Sequence, residues 1–542
     1  MRKKAARSAA VVLAAAMTVG ILAGCGSKGQ GNEETSNRTE DGTGFKDYSE
    51  GFPEEVTIQI PVYDRAYEGW DPTDNYYTNW VQTEFGDKYN INVEYVAIGR
   101  TTEVQDYMQM IAAQTAPDII MSYDMPQAVN YYNEDAMQPL DLEEIEYYAP
   151  TYYANMKDTV AQYGSLDGEN MFFFAERNPV YYSEITLIRQ DWLDEVGMDM
   201  PTNEAELEEA GRAWKEAGLG TLGNSLITQS FTYEYPYFDD SISEEEYGKY
   251  LDLTVAPLTW EPSEKYLKNL NEEYNEGIVD QEFYLNAQDT DWKADFVSGR
   301  CGTYKFRIGN TTDVFDSLLA NNPDAEVSTL DPGALSPEGK GYYYAYPPYG
   351  MVMGISTTTP AEERAAVWMY LEWLSQPENL FKMQNGVEGD NYTLDEDGIA
   401  VPIAGFEGES KLSQNNNKDY WCLVVEDVTY GDAEKDYKAN LRLLAPAGYE
   451  YLIEQAYNYY QEDAEYGIVT PVFTKVIESI SEYSSDLNAM WQEFYVDLAT
   501  CDPSEFDAKY EEYCQEYLEG GYQDILDEKQ EAMEEGSYII AE

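Results

Sequence analysis

Histidine is absent from this chain of 542 residues, and basic residues are scarce, with 33 Lys and Arg against 103 Asp and Glu. Without histidine the chain can form neither a Ser-His-Asp nor a Cys-His nucleophile, nor a His-ligated zinc site. The formal net charge of -70 argues against nucleic acid as a partner, because phosphate binding needs a basic face. The acidity indicates a heavily solvated surface.

Cysteine is limited to five residues, of which Cys25 belongs to a targeting segment. The others, Cys301, Cys422, Cys501 and Cys514, could pair in three ways, and the sequence leaves open whether they form disulfides. Their spacing is not that of a metal site. We therefore predict no metal and no cofactor.

Tyrosine is abundant, with 50 residues in a chain that is 14% aromatic. A tyrosine that packs by its ring and hydrogen-bonds by its hydroxyl suits a sugar surface, although most tyrosines are expected to lie in the core or on a half-buried surface. The apolar fraction of 43% allows a large core. A chain of this length is expected to divide into two or more lobes.

Residues 1–24 have the features of a signal peptide: a basic start (MRKKAAR), an apolar stretch at 9–21 and small residues before Cys25. The ending LAGC resembles the lipobox of bacterial lipoproteins. That resemblance implies a diacylglyceryl group on Cys25, cleavage before it, and a lipid-anchored protein on the extracellular face of the cell membrane. The alternative is an ordinary secretory peptide with an incidental cysteine. Residues 25–52, which contain few apolar side chains, are expected to be a disordered tether after the lipidated cysteine.

The segments that follow alternate between strand and helix patterns. Residues 55–63, 90–97 and 119–121 predict strands, and residues 73–89 and 104–114 predict the helices between them. This order predicts an α/β unit with a right-handed crossover, in which the short third strand is buried in a parallel sheet.

Polar and aromatic residues come directly after two of these strands. Asp64, Arg65 and Trp70 follow the first strand, and Tyr123 and Asp124 follow the third. Ligands of open α/β sheets bind beyond the carboxyl ends of the strands. We therefore interpret these residues as a ligand-facing wall.

The carboxyl-terminal part of the chain has a helical pattern. From residue 476 to 494 apolar residues recur with a period of 3.6, and residues 503–535 predict one further helix with the same pattern. These stripes predict a helical layer at the end of the chain.

Several motifs together indicate a family. After the strand ending at Arg189 come DWL, a Gly197 turn, Pro201 and an acidic helix; the other motifs are APDII at 116–120, EGIVD at 276–280, FVSGRCG at 296–302 and NGVEGDNY at 385–392. From about residue 53 onward the chain resembles the extracellular solute-binding proteins of family 1. It is most similar to the lipoprotein branch that binds alginate oligosaccharides and other oligosaccharides.

The resemblance implies an α/β, two-lobe, periplasmic-binding-protein-like type II fold with discontinuous lobes and a helical C-terminal layer. We place lobe one at residues 53–182 plus 346–395 and lobe two at residues 183–345 plus 396–542. The implied function is that of a monomeric, non-enzymatic receptor of an ABC importer. It would close on an oligosaccharide by hinge bending and deliver it to permease subunits in the membrane. The alternatives are a peptide-binding receptor and a lipoprotein glycoside hydrolase.

A sugar cleft needs flat aromatic surfaces and planar polar groups. The aromatic candidates are Trp70, Tyr123, Tyr304 and Trp421, and the polar candidates are Asp64, Arg65, Asp124, Arg189 and Arg307. In so acidic a chain, arginines also commonly pair with structural carboxylates.

One departure from the family concerns calcium. The alginate-binding members carry an acidic calcium loop shortly after the helix that follows the DWL motif. Here residues 215–226 read KEAGLGTLGNSL, with a single carboxylate and no alternation of oxygen ligands. The departure reinforces the prediction that no metal is bound.

Overall fold

The structure is a computed structural model that describes residues 36–540, apart from 40–41, 43, 179–183, 225–236, 240, 252–253, 287–288, 308–311 and 446–447. Cys25, the signal peptide and the first part of the tether lie outside the described residues. Within the described ranges, no helix has both the length and the hydrophobicity needed to cross a membrane.

The amino-terminal part alternates strands and helices as expected. Its strands are β1 (Val56–Asp64), β2 (Ile91–Gly99), β3 (Ile119–Ser122), β4 (Met137–Gln138), β5 (Ser165–Leu166), β6 (Glu169–Asn170) and β7 (Phe173–Glu176). Its helices are α1 (Tyr76–Val81), α2 (Asp87–Tyr89), α3 (Glu103–Ala113), α4 (Met125–Asn133), α5 (Leu142–Tyr148) and α6 (Pro150–Tyr163). A π-helical turn, Gln82–Gly86, joins α1 to α2.

The rest of the chain is richer in helix. Its strands are β8 (Glu184–Arg189), β9 (Thr303–Arg307), β10 (Val327–Thr329), β11 (Tyr343–Tyr344), β12 (Tyr349–Ser356), β13 (Tyr392–Leu394), β14 (Ala400–Pro402), β15 (Gly467–Ile468), β16 (Val472–Phe473) and β17 (Tyr538–Ile539). Its helices are α7 (Gln190–Val196), α8 (Glu204–Ala217), α9 (Glu244–Tyr250), α10 (Glu261–Glu276), α11 (Asp289–Ser298), α12 (Thr312–Asn321), α13 (Ala361–Ser375), α14 (Pro377–Asn385), α15 (Lys418–Trp421), α16 (Ala433–Leu444), α17 (Glu450–Glu462), α18 (Glu478–Thr500), α19 (Phe506–Tyr517) and α20 (Gln523–Glu534).

The first α/β unit forms where the alternation of apolar residues predicts it. β1 and β2 pair in parallel along their whole length, from Val56 opposite Ile91 to Asp64 opposite Gly99. β3, however, pairs antiparallel with β12, which also takes β7 and β4 as antiparallel partners. The expectation of a purely parallel sheet around β3 is therefore wrong, because a strand from much later in the chain returns beside it.

The second sheet is antiparallel, in the order β10-β8-β9. The helices around it begin and end at recognisable caps. At the start of α8 the side-chain oxygen of Asn203 accepts a hydrogen bond from the backbone N–H of Glu206, and Gly218 ends that helix with a φ of 74°.

The buried apolar side chains separate into two main bodies, which confirms a two-lobe α/β fold. The first contains residues of β1–β3, β7, β12 and α13, and the second contains residues of β8, α8, α10 and α18–α20. Residues 420–424 pack into the first body, although the sequence analysis assigns them to lobe two. The remaining lobe boundaries stay a prediction.

The helical layer at the end of the chain is present, but its last part is two helices rather than one. α19 and α20 are separated by a π-helical turn, Leu518–Tyr522, in which Gly521 has a φ of 115°. That backbone conformation is accessible to glycine and strained for other residues. The apolar period predicts the stripe correctly but does not detect the break.

Within residues 37–52, the positions that the structure describes make defined contacts with the first body, whereas the sequence analysis expects a disordered tether here. Asn37 is only 1% exposed, and its amide nitrogen donates hydrogen bonds to Glu144 and to the backbone oxygen of Ala361. Tyr48 and Phe52 stack with ring centroids 4.1 Å apart and are buried against the first body. Phe45, Tyr48 and Phe52 supply the apolar contacts of a segment whose composition is otherwise polar.

The cysteines Cys301, Cys422, Cys501 and Cys514 are free thiols. Burial raises the pKa of Cys301 to about 12 and that of Cys422 well above its usual value. These side chains therefore behave as small apolar groups of the protein core.

Candidate ligand-binding cleft

Three chain segments run side by side between the two bodies. Beyond β7, the backbone N–H of Arg177 donates to the oxygen of Pro348 at 3.0 Å, and the N–H of Glu426 donates to the oxygen of Glu176 at 2.8 Å. The segments around residues 176, 348 and 426 are therefore hydrogen-bonded neighbours. They form a junction about which two bodies could bend.

A cavity of about 440 Å³ borders this junction. Tyr123 and Asp124, at the carboxyl end of β3, form one wall on the side of the first body. Leu251 and Ile480, which pack with clusters of the second lobe, lie on the other side. The cavity is large enough for a small organic ligand and lies where two-lobe proteins close.

Aromatic side chains dominate the edge of this cavity along the junction. Tyr344 and Tyr346 meet edge to face with centroids 4.7 Å apart, and the Arg177 guanidinium lies 4.9 Å from the centroid of the Tyr346 ring. The Nε of Arg177 also donates to the backbone oxygen of Pro347 at 3.2 Å. These contacts hold two tyrosine rings and a planar cation in defined positions.

The side chains at the ends of β1, β2 and β3, which form the opposite wall, are also fixed by contacts with one another. The rings of Tyr63 and Tyr123 stack with centroids 6.0 Å apart and planes 14° from parallel. The Arg100 guanidinium, which follows β2, lies 5.0 Å from the first ring and 5.2 Å from the second. Tyr123 is thereby fixed at the cavity wall by residues from the ends of all three strands.

A second cavity, of about 430 Å³, borders the junction on the side of residues 426–428. Trp421 lines it, but this side chain is 3% exposed and its Nε1 donates to the backbone oxygen of Asn416 at 2.9 Å. Lys418 contributes a cation that pairs with Glu426 at 2.7 Å. The Trp421 ring is therefore buried in the wall of this cavity and exposes little of its face to a ligand.

Carboxyl groups at the junction titrate above their usual range. Burial raises the pKa of Asp427 to about 6, even though the backbone N–H of Asn178 donates to its carboxylate. Burial also raises the pKa of Glu176. Both shifts have the sign expected for a carboxylate that has lost water.

The remaining candidates, Asp64, Arg65 and Trp70, follow β1 and lie close to the wall formed by Tyr123 and Asp124. Arg65 donates from Nε to both carboxylate oxygens of Asp419, at 2.9 and 3.0 Å. Asp64 is exposed, and Trp70 is half-buried against the first body. Of the nine side chains singled out from sequence, Tyr123 and Asp124 line the cavity beside the tyrosines, and Trp421 lines the second cavity.

Arg189 and Tyr304 have structural surroundings in the second lobe. Arg189 is 1% exposed, donates to Asp191 at 2.7 Å and stacks on Trp192 at 4.7 Å. Tyr304 is buried and stacks on Phe296. Neither residue lines the two cavities of the junction. Arg307 ends β9, and its side chain lies outside what the structure describes.

Sequence reasoning missed Tyr344, Tyr346 and Arg177. Arg177 directly follows β7, Tyr344 ends β11, and Tyr346 lies between β11 and β12. None of them follows β1, β2 or β3, where the sequence analysis looked for ligand residues. The available signal was the segment GYYYAYPPYG at 341–350, which combines five tyrosines with two prolines. So many aromatic side chains in a connection suggest a surface for binding.

The described part of the segment that departs from the calcium loop of the alginate-binding members, residues 215–224, makes hydrogen bonds within the protein. The Lys215 ammonium donates to the backbone oxygen of Glu276, and the N–H of Gly223 donates to the Thr303 hydroxyl. Leu222 forms a parallel bridge with Val279. In the described residues, no group of three or more acidic, Cys or His side chains could hold a metal ion.

Comparison with known families and structures agrees with this architecture. Residues 80–388 match the sequence profile of a family described as bacterial extracellular solute-binding protein. A search of curated proteins found no match.

Solved structures share the fold at low sequence identity. An alginate-binding protein without calcium ion is 16% identical over 90% of this chain and 99% of its own, with a TM-score of 0.55. An HMO-binding, ABC-transporter-associated protein from Bifidobacterium longum infantis is 12% identical over 89% and 99%, with a TM-score of 0.59. A substrate-binding protein of S. pneumoniae in complex with kestose is 13% identical over 89% and 99%, with a TM-score of 0.55.

Proposed function

The chain belongs to the bacterial extracellular solute-binding proteins, and from that membership we propose that it captures an oligosaccharide in the cleft between its two lobes. Members of this family bind solutes for transport, so the chain is a binding protein and not an enzyme. The observation that carries the sugar proposal is the cavity at the junction, with Tyr123, Tyr344 and Tyr346 in its lining.

The chemistry of this lining suits a carbohydrate. The C–H faces of a pyranose pack on aromatic rings, while its hydroxyls need donors and acceptors around the ring edge. Tyr346 is kept in place by Arg177, and the Tyr344 hydroxyl accepts from Thr470 at 3.4 Å. Removing about 100 Å² of apolar sugar surface from water contributes on the order of 2.5 kcal/mol.

Binding is coupled to closure in this proposal. A ligand that touches both walls of the cavity stabilises the closed form by the contacts that only that form makes. The junction of three hydrogen-bonded segments supplies the hinge. The closed, loaded monomer then docks on the permease subunits of an ABC importer, which distinguish it from the open form.

The location follows from the LAGC motif. We propose that Cys25 carries a diacylglyceryl group that holds the protein on the extracellular face of the cell membrane. Two acyl chains, at about 0.8 kcal/mol for each buried CH₂, anchor a protein stably.

The first test is a thermal-shift screen of a soluble form that starts at Lys28. Its ligands are neutral oligosaccharides, acidic oligosaccharides and short peptides. A ligand at 100 times its Kd is expected to stabilise the protein by about 2.7 kcal/mol. A shift with one class of oligosaccharide and no hydrolysis product supports the proposal. A shift with peptides alone, or the absence of any shift, would contradict it.

A further inference from the structure

A groove of about 610 Å³ lies on the first lobe, at the end of the sheet that is remote from the cleft. Tyr89, in its lining, comes just before β2, and its backbone oxygen accepts from the N–H of Phe52, just before β1, at 2.9 Å. In the cleft, Tyr123 stacks instead on Tyr63, at the carboxyl end of β1. The groove and the cleft are therefore about 25 Å apart along β1.

Aromatic rings form much of this groove. The Tyr147 side chain is 48% exposed, and its ring meets that of Tyr148 edge to face, with centroids 4.9 Å apart. Trp373 and Tyr89 are half-buried in the lining, and the Trp373 ring packs on Trp80 with centroids 5.0 Å apart. The volume is within the range of about 300 to 1,000 Å³ that is usual for ligand pockets. The groove therefore offers ring surface to a partner that arrives from solvent.

The rings in this region already hold cations of the protein itself. The Lys382 ammonium lies 4.4 Å from the centroid of the Trp80 ring, which packs on Trp373. The Lys88 ammonium lies 4.8 Å from the centroid of the Tyr89 ring. A cation over an aromatic face is attracted by the negative charge of that face. Ring surface of this kind therefore suits a positively charged partner.

The charged residues of the lining are four acids and one lysine: Asp47, Glu84, Glu372, Glu378 and Lys88. In the part of the chain that the structure describes, none of these four acids forms an ion pair, and the nearby Lys46 lies 3.7 Å from Glu362 instead. The hydrogen bonds that Asp47 and Glu372 accept come from uncharged N–H groups. The groove therefore keeps a net negative charge. The cavity of the cleft differs, because its lining has two cations beside one acid.

The four acids come from different parts of the lobe. Asp47 precedes β1, Glu84 lies in the turn between α1 and α2, Glu372 belongs to α13, and Glu378 belongs to α14. A single cation cannot contact carboxylates on every side of a groove of this size. Several cations on one peptide chain can.

Aromatic faces beside carboxylates are the groups that bind a guanidinium or an ammonium. A guanidinium stacks on a ring by its face and donates to a carboxylate from its edge at the same time. A neutral sugar gains nothing from the net charge of the groove, and an anion is repelled by it. We propose that this groove is a docking site for a protein segment that carries closely spaced arginine or lysine side chains. Because the groove is separate from the cleft, it can hold that partner while the cleft holds a sugar.

The test is fluorescence anisotropy of the soluble form that starts at Lys28, with labelled tetra-arginine and tetracitrulline peptides as probes in 150 mM NaCl. Citrulline has nearly the shape of arginine but carries no charge. We expect tetra-arginine to bind at a ratio of one to one and at least tenfold more tightly than tetracitrulline. Equal affinities for the two peptides, or no binding of tetra-arginine, would overturn the proposal.

Two double variants with the same change in net charge locate the binding site. Glu84→Gln with Glu378→Gln removes two exposed carboxylates of the groove and should weaken binding of tetra-arginine at least fivefold. Glu511→Gln with Glu516→Gln, at exposed positions of α19, should weaken it less than twofold. Equal weakening by the two double variants would mean that only the general acidity of the protein attracts the probe, and the proposal would be wrong.

The contribution of the rings is tested by Tyr147→Ala, which should weaken binding of tetra-arginine at least threefold. Tyr284→Ala, at an exposed tyrosine of the second lobe, is the control and should leave binding unchanged. The same affinity in both variants would contradict stacking in the groove.

Three other results would each give the groove a different occupant and overturn the proposal. Displacement of tetra-arginine by a neutral oligosaccharide would assign the groove to a sugar. Self-association that Tyr147→Ala abolishes would assign it to a second copy of this chain. Tighter binding of tetra-arginine to a form that starts at Ser36 would assign it to residues 28–35 of the chain itself.

Discussion

The position of the Tyr346 ring is set by contacts with neighbouring side chains, because this residue does not belong to a strand. It lies between β11 and β12, where prolines at 347 and 348 restrict the backbone. Arg177 covers one part of its ring and Tyr344 meets its edge. The ring is therefore preorganised for stacking, which reduces the entropy lost on binding.

We predict that Tyr346→Ala weakens binding of the oligosaccharide by about 10- to 100-fold, because an aromatic face of the cavity is lost. Titration calorimetry measures the change in Kd. Tyr284→Ala, at an exposed tyrosine of the second lobe, is the matched control and should bind as the unaltered protein does. Equal affinities for the two variants would exclude stacking on Tyr346.

Glu273 is a residue whose ionisation opposes folding. It lines a cavity of about 140 Å³ in the second lobe together with Glu204 and Tyr237. Burial, together with the charges of Glu208 and Glu204, raises the pKa of Glu273 to about 8. Because the folded protein holds this proton more tightly than the unfolded chain, the contribution of Glu273 to stability is greatest at low pH and is lost as pH rises from about 4.5 to about 8.

Glu273→Gln should remove this pH dependence and stabilise the protein at pH 8 by on the order of 3 kcal/mol, with little effect near pH 5. Unfolding by urea at a series of pH values measures it. Glu272→Gln changes the same charge at an exposed neighbour and serves as the control. If both variants keep the slope of the unaltered protein, the assigned pKa is wrong.

At the scale of elements, the described residues of the segment 37–52 attach this part of the chain to the first lobe. Arg38 pairs with Asp141 at 2.7 Å, and the Tyr148 hydroxyl donates to the backbone oxygen of Lys46, also at 2.7 Å. Together with the stack of Tyr48 on Phe52, these contacts bind the segment to α5 and α13 of one lobe.

Tyr48→Ala should detach the segment 37–52 from the first lobe and destabilise that lobe by about 2 to 4 kcal/mol, since a buried ring is removed. Amide hydrogen exchange should become faster through residues 44–52. Leu394→Ala, at an exposed side chain, is the control and should leave exchange in that segment unchanged. Unaltered protection in the Tyr48 variant would show that the segment does not depend on its aromatic contacts.

The elements that sequence predicts well are those with a strong local pattern. β1, β2 and α3 have apolar periods of 2 or 3.6 over nine or more residues, and each lies within two residues of its expected bounds. The antiparallel partner of β3 and the break at Gly521 depend on contacts distant in the chain or on one backbone angle. The local period contains neither kind of information.

At the scale of the molecule, sequence motifs led to the family and to a two-lobe fold, because their order along the chain is specific. Only part of the candidate site could be predicted from the sequence. Tyr123 and Asp124 follow from the rule on strand ends, whereas Arg177 and Tyr346 reach the cavity through a junction that forms only when separate segments meet. The role of an arginine was hardest to predict. In the sequence, Arg189, which pairs with Asp191, cannot be distinguished from an arginine that binds a ligand.

The central claim is that the lobes close on an oligosaccharide, and an interlobe distance tests it most directly. Spin labels at Val104→Cys and Leu285→Cys sit on exposed positions of the first and second lobes. Cys301, Cys422 and Cys501 are buried and thereby protected from labelling, and the half-buried Cys514 is replaced by Ser in the soluble form that starts at Lys28. With the saturating sugar from the thermal-shift screen, the account predicts a distance distribution shortened by several ångströms. An unchanged distribution with the sugar bound would contradict it.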